Sequence, residues 1–138
     1  MLISVLSFGQ TVSKSAILIS DASKLLPSQK VADTLANATT KTQTLKIDGY
    51  NDMVSVQANL TKISGTAAGK VYLLGSLDGT NYARAGGADS LTVLNVTSQS
   101  KIFDVVPSKF VYYRIQFVGA SGATQSVRFN SLALIRKK

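Results

Sequence analysis

Apolar and polar residues alternate most cleanly over residues 53–60. Val54, Val56, Ala58 and Leu60 fall on one side and Ser55, Gln57 and Asn59 on the other. Strand side chains point to opposite faces in turn, so this is a strand with one face on a core and one toward water. Residues 42–47 alternate likewise, with Leu45 and Ile47 inward, and Asp48-Gly49 closes them. Residues 110–118 place Val111, Tyr113, Ile115 and Phe117 on a core face and Tyr112, Arg114 and Gln116 outward. Further strands are predicted over residues 91–96, 101–106 and 125–135. Pro107 ends the second of these, since proline cannot donate to a ladder. Many short strands, Gly-rich breaks and no long helical period predict an all-β fold, an antiparallel β-sandwich or jelly roll.

The rest of the chain reads as strands laid around residues 71–82. Val71, Tyr72, Leu73 and Leu74 are apolar on both faces, as expected of a strand covered from both sides. Asp78-Gly79 is a strong turn signal, because glycine reaches positive φ without a Cβ penalty. Asn81 tolerates the same region, and Tyr82 can fold its ring back onto the sandwich edge.

Residues 1–30 read as an appendage, an arm or hairpin, and residues 31–138 as the sandwich. Residues 2–6 and 16–20 are short β-prone runs on either side of Gly9-Gln10-Thr11. They are too brief to build a core of their own. Leu2, Val5, Ile17 and Ile19 are therefore expected to bury against another chain or the sandwich flank. Residues 21–30 read as a turn or one helical turn with Asp21 as a cap. Residues 31–41 are rich in Thr, Ala and Asn and show no clear period.

Composition removes most catalytic chemistry. The 138 residues include no Cys, His or Trp, and all seven acids are Asp. Zinc, haem and the usual acyl-transfer triads need residues that are missing. A paired-carboxylate mechanism would rest on Asp alone. No run approaches the roughly 20 apolar residues of a membrane span. Residues 1–8 lack the basic start of a signal peptide. The expectation is a protein that is not an enzyme, with no cofactor, no metal and no membrane partner.

The motifs support the same reading. Gly65 to Lys70 is one residue short of a phosphate loop, and a strand rather than a helix follows it. Asp78 has only Asp89 as a second acid nearby, too few oxygens for calcium. Asn37, Asn59 and Asn95 match the glycosylation pattern but follow no secretory signal. Residues 110–117 mix aromatics with Arg114, yet they lack the glycines of the RNA-binding signature.

Charge is uneven. Residues 1–69 hold six Lys and four Asp, and residues 70–138 hold nine Lys plus Arg and three Asp, so +6 of the net +8 lies in the second half. A basic strip suits an acidic protein neighbour, nucleic acid or an anionic surface. A hairpin of residues 110–118 and 125–135 about Ser121 sets Tyr113 opposite Phe129 and Ile115 opposite Val127. That register places Arg114 opposite Arg128 on the outer face, an unfavourable pair that an acidic partner would bridge. Arg114 and Arg128, with Arg136 and Lys137 nearby, are thus expected to form an interface.

The stretch Gly75-Ser76-Leu77-Asp78-Gly79-Thr80-Asn81-Tyr82 resembles a turn found in many tailed-bacteriophage virion proteins. Tyr112-Tyr113-Arg114-Ile115 and the strand after the Gly-rich hairpin are similar too, and the likeness spans about residues 42–135. It implies a small β-sandwich module of a head, head fibre or tail, doing structural or adhesive work without catalytic residues. The expectation is a virion structural protein, first a head decoration or head-fibre attachment protein, second a tail or baseplate component. Its expected partners are other virion proteins, with copies of itself among them. A carbohydrate-binding adhesion module is the rival from another class. A basic nucleic-acid binder is a lesser one.

Overall fold

The computed structural model describes residues 16–19, 33–47, 51–85, 87 and 89–136. Among these residues ten strands follow in order: β1 (Ala16–Ile19), β2 (Asp33–Ala36), β3 (Thr40–Lys46), β4 (Met53–Gly65) and β5 (Gly69–Ser76), then β6 (Ala83–Arg84), β7 (Leu91–Val93), β8 (Ser98–Val105), β9 (Tyr112–Gly119) and β10 (Gln125–Arg136). They form two antiparallel sheets. The first runs β1-β10-β4-β8, with β2 also on β10, and the second runs β3-β9-β5-β6, with β7 also on β5. The fold is the expected all-β sandwich.

The alternation read along the chain builds its core. Val54, Val56, Ala58 and Leu60 of β4 are buried against Tyr113, Ile115 and Phe117 of β9, and Leu45 and Ile47 join them. Gln43 continues the inward set of β3 as a polar member. It accepts a hydrogen bond from buried Ser131 of β10, so one satisfied polar pair ties the two sheets through the core.

The final two strands correct the expected hairpin. β9 pairs with β3 and β5, whereas β10 pairs with β4, β1 and β2. The chain between them crosses from one sheet to the other. Tyr113 faces Leu45 and Gly75 in its ladders, not Phe129, and Phe129 faces Leu60. Inward alternation on both strands is satisfied equally by pairing or by facing across a core. Here Phe117 and Phe129 meet edge to face, with ring centroids 6.0 Å apart.

Three other expectations change. β5 is not covered on both sides; Val71 and Leu73 are buried while Tyr72 and Leu74 are half-buried on the outer face. Residues 31–41 hold β2 and the start of β3, joined by a turn in which Asn37 has φ 51°. β7 stops at Val93, and Leu94 and Val96 beyond it are 56% and 44% exposed. β1 hydrogen-bonds to β10, with Ile17 opposite Ala133 and Ile19 opposite Ser131. Leu2, Val5, Asp21 and Lys137 lie outside the described residues.

Candidate binding site on the second sheet

The turn after β5 is held by one carboxylate. Asp78 Oδ1 accepts hydrogen bonds from the Ser76 hydroxyl and the Thr80 and Asn81 backbone N–H groups, all at 2.8 Å. Its Oδ2 accepts from Asn81 Nδ2 at 2.7 Å, and Ser76 Oγ accepts from the Gly79 N–H at 2.9 Å. The Asn81 and Thr80 backbone donors, above all, hold the Asp78 carboxyl well below the usual carboxylate range. The three turn residues singled out in the sequence, Asp78, Gly79 and Asn81, thus form one hydrogen-bonded unit. Asp89, the only candidate for a second calcium-binding acid, is instead paired with Lys101 at 2.7 Å.

Gly79 takes φ +76°, and a Cβ there would stand 3.1 Å from the Tyr112 ring. Gly79→Val is therefore expected to cost about 1–3 kcal/mol in chemical denaturation, from backbone strain and crowding of Tyr112. Asp78 also sets a pH dependence. Its folded-state pKa lies below the ordinary 3.8, so it contributes stability above that value and loses it as pH falls through the lowered one. The gap in melting temperature between the parent and Asp78→Asn should hold steady down to about pH 5 and shrink below about pH 4.

The turn delivers Tyr82 to the outer face of the second sheet. There the ladder sets Thr44, Arg114, Leu74 and Arg84 in one row across β3, β9, β5 and β6. The Arg114 guanidinium lies 3.6 Å over the Tyr82 ring, and its Nε donates to Thr44 Oγ1 at 3.1 Å. Arg84 lies 3.9 Å over the Tyr72 ring on the same face. Beside the first stack is a depression of about 280 Å³, lined by Tyr82, Tyr112, Arg114, Thr44, Lys46 and Gly79. Among the described residues that line it, two are cationic and none is an acid.

The first sheet's outer face is different in kind. Ile102, Leu132 and Leu134 line a shallow groove of about 490 Å³, edged by Ser55, Gln57 and Asp104. Arg128 stands on this sheet opposite Thr34 and Thr61, and Arg136 opposite Met53. Arg114 and Arg128 thus belong to opposite faces of the sandwich, and one acid cannot bridge them. Of Arg114, Arg128 and Arg136, the described cations expected at one interface, only Arg114 lines the depression. Tyr112 was already placed outward with it by sequence, whereas Tyr82, Thr44 and Lys46 were not. The signal was the outward half of the alternation on β3 and β9, which gains meaning only once those strands are known to pair.

No protein-family model matches the chain, and no curated protein matches it. Solved structures do match its fold. The PBSX exported protein XepA superposes with a TM-score of 0.58 at 14% identity, over 90% of this chain and 37% of that one. A carbohydrate-binding module specific for non-crystalline cellulose gives 0.53 at 12% identity, over 76% and 72%. The enzymatically active domain of tailspike protein 4 from bacteriophage CBA120 gives 0.51 at 14% identity, over 80% and 16%. This chain therefore spans 37% of the XepA chain and 16% of the tailspike chain. At such identities the likeness is one of fold, shared by phage proteins and carbohydrate-binding modules.

Proposed function

We propose that this chain is a non-catalytic component of a tailed-phage virion, a head decoration or head-fibre attachment module before a tail or baseplate one. In that role it works by burying surface against other virion proteins and copies of itself. The supporting observation is that the virion-like stretch 75–82 is also what shapes a face of the sandwich. Asp78 locks the turn, Gly79 seats Tyr112, and Tyr82 carries Arg114. Tyr and Arg are the residues that anchor interfaces when held rigidly. The test is to purify particles, separate heads from tails on a density gradient, and probe each with an antibody to this chain. Recovery with heads is expected; recovery with tails selects the second placement, and absence from all particles overturns the proposal.

The depression between Tyr82, Tyr112 and Arg114 favours a second reading, an adhesion module that holds a carbohydrate. Sugar sites pair aromatic walls with a few fixed polar groups, and those are the elements present.

A further inference from the structure

We propose that the depression on the second sheet is a site for an acidic sugar, one that carries a carboxylate on its ring as a uronic acid does. The inference rests on the adhesion reading and names the class of glycan.

Arg114 is the reason for the carboxylate. Its Nε is committed to Thr44 and one face of its guanidinium to Tyr82. Both contacts fix the plane of the group and leave the Nη end to meet an oxygen pair side by side. Such a fork matches a carboxylate in two parallel hydrogen bonds, and the group arrives with its orientation already set. Lys46 stands on the same wall, with an interaction of its own. Asp78, next to Gly79 of the lining, spends both its oxygens on hydrogen bonds within its own turn. An anion entering the depression therefore meets the Arg114 fork, and none of the described residues that line it is an acid.

The remaining walls are the reason for the sugar. Tyr82 and Tyr112 flank the depression, and Thr44 adds a hydroxyl, so apolar ring surface and hydroxyl partners lie within reach of the Arg114 fork. A ring that bears hydroxyls and one carboxylate meets all of these groups together. An acidic peptide side chain would engage only the Arg114 end. At about 280 Å³ the depression holds a single ring more readily than an extended segment.

The experiment is calorimetric titration of the full chain with trigalacturonate, with the neutral trisaccharide of galactose, and with triglutamate as a charge-matched peptide. Trigalacturonate is expected to bind, and the other two at least about tenfold more weakly. Arg114→Gln should weaken trigalacturonate binding about tenfold or more, and Arg114→Lys should not restore it, since lysine keeps the charge but not the fork. Arg128→Gln removes the same charge from the opposite face and should leave binding unchanged. Melting curves show that each variant is folded. No binding of trigalacturonate, equal binding of triglutamate, rescue by Arg114→Lys, or an equal loss in Arg128→Gln overturns the proposal. These outcomes are independent of where the chain sits on a particle, so the virion reading stands or falls separately.

Discussion

Gln125→Leu is expected to destabilise the domain by about 2–4 kcal/mol, although the substitution is close to volume-conserving. Gln125 is 4% exposed and sits where three sheet-crossing connections meet. Its Nε2 donates to the Asn37 carbonyl at 3.0 Å and to the Ala68 carbonyl at 2.8 Å. Its Oε1 accepts from the Ala68 N–H at 2.9 Å, and its backbone carbonyl accepts from the Asn37 N–H at 2.8 Å. One side chain thus ties the β2–β3 turn and the β4–β5 turn to the start of β10. Leucine removes all three side-chain bonds; the Asn37 carbonyl and the Ala68 N–H lose these partners while the Ala68 carbonyl keeps the Ala120 N–H, and unmade bonds cost more than made ones gain. A fall in melting temperature on the order of 10 °C should accompany it. Gln125→Glu separates bonding from packing. It keeps the size and the acceptor but replaces two donated bonds by an anion beside two carbonyl oxygens. Its damage should be greatest at neutral pH and ease as pH falls and the raised carboxyl is protonated. If the leucine variant melts like the parent, the tie has no energetic role.

The second large effect is in the core. Phe117 and Phe129 come from different sheets and are 0% and 2% exposed. Phe117→Ala should cost about 3–5 kcal/mol, the range for a large buried side chain whose cavity collapses only in part. The informative quantity is the coupling. A double-mutant cycle on Phe117 and Phe129 should return about 0.5–1.5 kcal/mol for an edge-to-face pair. The hairpin register expected from the sequence puts Phe129 opposite Tyr113 instead. Stronger coupling of Phe129 to Tyr113 than to Phe117 would restore that hairpin and break the sandwich described here.

These two residues also mark how far the sequence could be read. The inward sets of β4 and β9 were legible because a strand's period fixes the face of every side chain once one is known to be buried. Val54, Val56, Tyr113 and Ile115 all lie where the alternation put them. The period says nothing about the partner strand, so the same alternation accommodated a hairpin and a crossing. β2 was hidden because only Leu35 of its four residues is both large and apolar. Gln125 and the Gln43–Ser131 pair were hidden for a different reason. A buried polar residue resembles a surface one until its partners, 57 to 88 residues away in the chain, are in place. The Asp78 turn was legible because all its bonds are local, and Tyr82 and Arg114 were not joined because their meeting depends on the pairing of β5 with β9.

The place of β10 in the first sheet has a consequence for the order in which the chain can fold as it is made. β1, β2 and β4 all hydrogen-bond to β10, and β10 is the last of the ten strands to leave the ribosome. Among the described strands, β1 and β2 pair only with Gln125–Arg136 and wait for it to emerge, and until then β4 has β8 beside it. The second sheet has all of its strands once β9 is out, and it must wait with its inner face uncovered. Docking of β10 then completes both the ladder and the core in one late, non-local step. A nascent chain arrested before Gln125 would hold its apolar face open to chaperones or to other chains, and release of the 12 residues of β10 would close it.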